Sequence, residues 1–269
     1  MIKKFILITS FCVLANANLD QSIQNILGNS DYNTHKNLIN HLFNNENTFY
    51  SNGKLNYTRI SQELENNSLL KLNLDSTQNI DVTFNINGNT KKSIKNLTDI
   101  LKALGHQYFI TKEEIVVDNT FKWTIKMKTA AAISPLRLSK ELQAINCNIL
   151  DIKREGNYKW NYSIDMSSST IYKAEDLIGN NRLTLKKPLK PYIVKVQNSS
   201  KINIDSNTGN SWYPSVVFYD DDFNVIEILE KDSLHKSLRL KVPNNTKYIK
   251  IDDLYSLANL KRGINITKE

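Results

Sequence analysis

Leu97-Thr98-Asp99-Ile100-Leu101-Lys102-Ala103-Leu104-Gly105-His106-Gln107-Tyr108 returns in outline 41 residues later as Leu138-Ser139-Lys140-Glu141-Leu142-Gln143-Ala144-Ile145-Asn146-Cys147-Asn148-Ile149. In both copies leucines four apart mark one face of a helix end. The next landmark is Gly105 in one copy and Asn146 in the other, the residues best tolerated in a left-handed C-terminal cap. A strand then starts at Tyr108 or Ile149. Chance supplies the leucine spacing more readily than spacing and cap together, so the pair predicts an internal duplication.

Strand patterns surround each copy. Ile80–Ile86 precedes the first helix, and Tyr108-Phe109-Ile110 and Glu114-Ile115-Val116-Val117 follow it. Phe121, Trp123, Ile125 and Met127 alternate with Lys122, Lys126 and Lys128 before the second helix, which Ser134 and Pro135 open as N-cap and first position. Ile149–Ile152 and Trp160–Asp165 follow it, with Gly156-Asn157 as the turn between them. The pattern predicts two tandem β-α-β-β modules over residues 68–167. Each is too small to cover its own sheet, so the two are expected to pack together.

Residues 18–67 read as a helical lead-in. Leu38, Ile39, Leu42 and Phe43 share one helix face, Ile60 and Leu64 begin another, and Asn44–Asn47 and Ser51-Asn52-Gly53 break the run. Ser167-Ser168-Ser169 marks a boundary, and Tyr172–Leu177 suggests one turn of helix beyond it. Over 168–269 come six short strands with Asn, Gly and Asp turns: Tyr192–Val196, Ile202–Ile204, Ser215–Tyr219, Val225–Leu229, Leu238–Val242 and Tyr248–Ile251. The expected fold class is α+β, the modules being followed by a jelly-roll-like antiparallel β-sandwich.

An address stands at the start of the chain. Lys3-Lys4, an apolar run from Phe5 to Leu14 and the small residues of Ala15-Asn16-Ala17 have the layout of a secretory signal peptide, with cleavage expected after Ala17. The run is too short to span a bilayer. Cys12 would leave with the peptide and Cys147 would remain, a lone thiol read as a small half-buried side chain. Abundant Asn, Lys and Ile fit an AT-rich bacterial genome, which makes the expected compartment the periplasm. The formal charge of +8 is spread thinly, Lys91-Lys92 and Lys186-Lys187 being its densest points, and lacks the patch interleaved with aromatics of a nucleic-acid binder.

The chemical motifs are few. His35, His41, His106 and His235 are scattered, and the chain has no Gly-x-Ser-x-Gly elbow, phosphate-cradling glycine loop or Cys-x-x-Cys pair. No catalytic set, cofactor or enzymatic activity is therefore expected. An envelope hydrolase would need Asp220, Asp222, Glu227 or His235 to converge. Asp220, Asp222 and Asn224 alternate like the start of a calcium loop, but Val225 stands at the glycine position and Lys231 at the closing glutamate; a hairpin turn explains the run as well. Trp212 and Tyr213, with Tyr192 and Tyr219, are candidates for an aromatic platform that stacks on sugar rings or anchors a partner.

Trp212-Tyr213-Pro214-Ser215-Val216-Val217-Phe218-Tyr219-Asp220 and the segment from Tyr248 to Gly263 resemble periplasmic proteins of the campylobacteria that have no assigned activity. The likeness covers roughly residues 48–266 and brings no functional residues with it. Because bacteria of that group build periplasmic scaffolds around their flagellar motors, the resemblance implies an assembly role. The expected function is that of a soluble periplasmic interaction or scaffold protein docking on an envelope protein. The alternative is binding of cell-wall glycan through the sandwich.

Overall fold

The computed structural model describes residues 18–117, 120–196 and 199–269; the export signal read at residues 1–17 lies outside them. Three short helices come first, α1 (Leu19–Leu27), α2 (Asn29–Thr34) and α3 (Lys36–Leu42), then a hairpin of β1 (Tyr50–Ser51) and β2 (Lys54–Leu55), then α4 (Tyr57–Asn66). The Asn18 carboxamide caps α1 by accepting from Asp20 N, and Asn56 does the same for α4 from Arg59 N. Ile23, Ile26, Ile60 and Leu64 carry these helices into the core of the sheet that follows.

That sheet is built from β3 (Asn73–Asn87), β4 (Ile110–Val117), β5 (Thr120–Ala131), β6 (Asn148–Arg154) and β7 (Lys159–Asp165), with α5 (Thr90–Ala103) and α6 (Pro135–Gln143) as crossovers. Its spatial order is β4-β5-β3-β7-β6. β3 lies at the centre, antiparallel to β5 and parallel to β7, so that Phe84 stands opposite both Trp123 and Tyr162. Alternation does the rest. Ile80, Val82, Phe84 and Ile86 share a buried face with Trp123, Ile125 and Tyr162 and meet Leu97, Ile100, Leu101, Leu138 and Leu142 of the two helices. Asp81, Thr83, Asn85, Lys122, Lys126, Asn161 and Ser163 occupy the other face, partly exposed.

The two helix ends share one geometry. His106 N donates to Leu101 O and Cys147 N to Leu142 O, both at 2.9 Å, while Gly105 (φ 102°) and Asn146 (φ 61°) take the left-handed turn. The strand content departs from expectation in the first copy. Tyr108 and Phe109 precede the strand, and Ile110 and residues 114–117 lie in one strand, β4, whose register against β5 slips between Thr111 and Glu113. Lys112 is the extra residue of that bulge and pairs with Asp81 at 2.7 Å. The order is thus β3-α5-β4 and then β5-α6-β6-β7, interleaved in one sheet, rather than two β-α-β-β units side by side.

The remaining strands are β8 (Glu175–Asp176), β9 (Arg182–Leu185), β10 (Tyr192–Lys195), β11 (Lys201–Ser206), β12 (Pro214–Tyr219), β13 (Val225–Glu230), β14 (Ser237–Lys241), β15 (Tyr248–Asp253) and β16 (Ile264–Lys268). They form two sheets, β13-β12-β15-β10-β8 and β14-β11-β16-β9. Val194, Val216, Phe218, Ile249 and Ile251 of the first share one core with Ile202, Ile204, Leu238, Leu240, Ile264 and Ile266 of the second. The whole is a mixed α+β chain. Residues 175–176 are strand rather than helix, and β9 and β16, which pair with each other, were not expected.

Gly105 has open space where a Cβ would stand, so Gly105→Ala tests the backbone alone. A left-handed conformation costs an L-residue roughly 1–2 kcal/mol. Gly105→Ala should lower the urea midpoint by a corresponding amount, whereas Asn146→Gly at the equivalent position should leave it within a few tenths of a kcal/mol, or raise it slightly.

Candidate functional site

The expected aromatic platform does not assemble. Trp212 is 0% exposed and donates its indole N–H to the Asp252 carbonyl at 2.9 Å, which makes it part of the core shared by the two C-terminal sheets and corrects its reading as a stacking residue. Tyr213 and Tyr219 flank β12 at opposite ends, roughly 20 Å apart along a strand of that length. Tyr213 meets Tyr255 edge-on at 5.0 Å, while Tyr219 stacks flat on Phe223 at 4.2 Å. Tyr192 donates its hydroxyl to the Lys186 carbonyl at 2.5 Å. The four aromatic residues face four different surroundings.

The acidic run is a clasp between the two halves of the chain. Asp220 accepts from Asn224 twice, from its backbone N at 2.7 Å and from its side-chain amide at 3.0 Å, which closes the β12–β13 turn and, against the effect of partial burial, holds the Asp220 carboxyl below its usual range. Asn224 also accepts from Lys91 Nζ at 2.6 Å. The buried Lys92 ammonium donates to the Asp221 carbonyl at 2.9 Å and stands 3.8 Å from its carboxylate. Phe223, in a left-handed conformation (φ 62°), lies between Tyr219 and Tyr248. The calcium-loop reading of Asp220, Asp222 and Asn224 is corrected accordingly: two of the three are turned on each other, and Asp222 points to solvent.

A second tie sits at the expected boundary. The fully buried Asn96 of α5 donates to Thr170 O at 2.8 Å and accepts from Tyr172 N at 2.9 Å, so its carboxamide stands in for a strand neighbour. The Tyr172 hydroxyl reaches Glu141 of α6 at 2.6 Å. Asp99 receives Lys95 at 2.6 Å and Lys190 at 2.9 Å; burial acts to raise its carboxyl, and the two ammonium groups outweigh that and hold it below its ordinary value. One helix, α5, therefore carries the sheet core on one face and the attachments of the C-terminal residues on another.

The hydrolase set is dispersed. Asp220 and Asp222 lie at one end of the β12–β13 hairpin, Glu227 lies along β13, and His235 stands beyond the other end, beside the Ser233 hydroxyl at 3.1 Å. Among the described residues no group of three His, Cys, Asp or Glu side chains is placed to hold a metal. Cys147 is wholly buried, more than the half-burial expected of it, and desolvation pushes its thiol up to about 12.

What the surface offers is strand edges and a cleft. β4 is an edge with Ile110 and Val116 more than 60% exposed, and Tyr108 beside it is 89% exposed. β13 is the edge of its own sheet and exposes Val225, Ile226 and Ile228. A cleft of about 640 Å³ opens between the β1–β2 hairpin, the start of α4, α6 and the start of β6, lined by Tyr50, Leu55, Asn52, Asn148, Leu150 and Asp165 among others. Sequence reading missed all three, although Ile110, Val116, Val225 and Ile226 were on the page as strand residues. Burial, which separates core strands from edges, is a tertiary property.

The chain matches no protein-family model, and no curated protein is significantly similar to it.

The clasp makes a sharp comparison possible. Lys92→Met keeps the buried stem and removes a charged hydrogen bond of roughly 1.5–3 kcal/mol. Asp221→Asn removes only a long, largely exposed ion pair, for which roughly 0.5 kcal/mol or less is expected. Thermal unfolding followed by circular dichroism should show a clear destabilisation for the first and almost none for the second.

Proposed function

We propose that this is an exported, non-enzymatic interaction protein of the bacterial envelope, composed of two interleaved α/β repeats and a jelly-roll sandwich. The signal-peptide pattern of residues 1–17 and the campylobacterial resemblance support the compartment. The sandwich assignment rests on nested pairing: β9 with β16, β10 with β15, β11 with β14 and β12 with β13, alternate pairs going to alternate sheets.

The observation that carries the interaction reading is the β4 edge. Among the described residues its backbone pairs with β5 on one side only, and it exposes apolar side chains on both faces, Ile110 opposite Lys126 and Val116 opposite Phe121, with Tyr108 just before it. An edge of this kind is a template for an added strand from a partner, whose main chain supplies the bonds and whose alternate side chains meet the apolar positions. In-cell crosslinking of the tagged protein followed by mass spectrometry should recover a defined set of envelope proteins. Ile110→Lys with Val116→Lys should lose that set without changing the far-ultraviolet spectrum. Recovery of the same set from the double variant would remove β4 from the account.

A second reading, binding of wall glycan, is favoured by the cleft rather than by the sandwich. Tyr50, Leu55 and Leu150 offer apolar surface beside Asn52, Asn148 and Asp165, a mixture that suits the CH faces and hydroxyls of a saccharide. Retention on purified peptidoglycan should then fall at least about tenfold for Leu150→Arg, the loss of roughly 1.4 kcal/mol. Retention that is absent in the parent protein, or unchanged in the variant, ends this reading.

A further inference from the structure

We infer that the sandwich pairs with a second copy of the chain through the β13 and β14 edges, around a two-fold axis parallel to the strands. The inference is independent of the β4 edge and the cleft. Among the described residues β13 is bonded only to β12 and β14 only to β11, so each offers an open row of backbone groups. All of β13 except Leu229 is exposed, including Val225, Ile226 and Ile228, and the strand has neither the proline nor the lysine that commonly blunts an edge.

The two edges lie on one side of the sandwich and run in opposite directions. Lys231 N, just after β13, donates to Pro214 O at the start of β12, and Ser206 N at the end of β11 donates to Lys236 O, just before β14. The short link 231–236 therefore crosses from one sheet to the other at a single end. A two-fold along the strands brings β13 of one copy beside β14 of the other, antiparallel, and does so twice. Both sheets then continue into the neighbouring molecule.

Charge selects this arrangement over like-with-like pairing. The β13 edge carries Glu227 and Glu230 with Lys231 and Asp232 just beyond, and the β14 edge carries Arg239 and Lys241 with Lys236 just before. Pairing β13 with β13 lines four carboxylates along one seam, with only the Lys231 ammonium groups at its ends to offset them. Pairing β13 with β14 sets acid against base. Face matching narrows the register further. Ile228 and Glu230 lie on the outer face, opposite Val217 and Ser215, as Arg239 and Lys241 do on theirs, whereas Leu229, Leu238 and Leu240 point inward. The register that keeps each face continuous and sets Leu229 beside Leu240 puts Glu230 opposite Arg239 and Ile228 opposite Lys241, whose aliphatic stem covers it.

Sedimentation equilibrium on the purified protein, with circular dichroism as the check on folding, tests the inference. The parent chain should sediment as a dimer at micromolar concentration. Glu230→Arg or Arg239→Glu alone should weaken dimerisation about a hundredfold, tenfold for each of the two symmetric pairs. The double exchange Glu230→Arg with Arg239→Glu should restore it. Because Arg239 also pairs with Glu269 at 2.9 Å, Ile228→Lys provides a variant that leaves this tie in place and should likewise be monomeric. A monomeric parent, a dimer indifferent to all three single changes, a double exchange that stays monomeric, or polymers that lengthen with concentration would each overturn the two-fold pairing.

Discussion

One row of aromatic rings joins what the sequence presents as two units. Phe84 of the central strand has Trp123 on one side and Tyr162 on the other, each 5.8 Å away, and Trp160 stacks on Tyr162 at 6.2 Å. Trp123 opens the second repeat and Tyr162 closes it, whereas Phe84 belongs to the first. With β3 in the middle, neither repeat has a complete sheet of its own. Burial of three large rings in a single cross-strand row, at roughly 0.5–1.5 kcal/mol per ring pair beyond area, rewards the interleaved arrangement and would be lost in side-by-side modules. The lead-in helices then have one continuous core to cover rather than two.

The local part of this was legible in sequence. Gly105 and Asn146 specify their caps because the left-handed turn is a property of the residue and its immediate neighbours. Strand alternation at Phe121–Met127 and Trp160–Ile164 was equally plain, since the buried face of a strand is written every second residue. The parallel pairing of β3 with β7 was not, because it joins residues 78 apart such as Thr83 and Asn161, and nothing in either strand names the other. The bulge at Lys112 was hidden for a related reason: its ion-pair partner, Asp81, lies on a strand two positions across the sheet. β9 was obscured by Asn180-Asn181 before it and Lys186-Lys187 after it.

For the site the balance is reversed. Trp212 looked like a ligand-facing ring because it stands in a loop among Asn, Ser and Tyr, yet loop residues at the mouth of a sandwich also serve as its plug, and the Asp252 carbonyl satisfies its one donor. The residues that meet solvent are aliphatic ones in strands, where sequence alone suggests core. Only the strand order decides between the two. A residue on β12 has neighbours on both sides, and the same kind of residue on β13 has them on one.

The run of three aspartates and one of the two lysine pairs explain each other. Lysines in the first turn of a helix oppose its dipole, so Lys91 and Lys92 at the start of α5 are a local disadvantage of a few tenths of a kcal/mol to about 1 kcal/mol each. Three consecutive aspartates in a two-strand turn repel one another in the same way. Bringing the turn to the helix start sets an Asn224 carboxamide oxygen, the Asp221 carbonyl and the Asp221 carboxylate against the two ammonium groups, and each cluster becomes the other's solvation shell. A basic excess that might have been taken for a polyanion-binding surface is thus in part spent inside the molecule: Lys91 and Lys92 on this clasp, Lys95 and Lys190 on Asp99, Lys112 on Asp81 and Lys122 on Glu113. In a chain of this composition, complementarity between distant charge runs is a better guide to domain docking than either run is to a ligand.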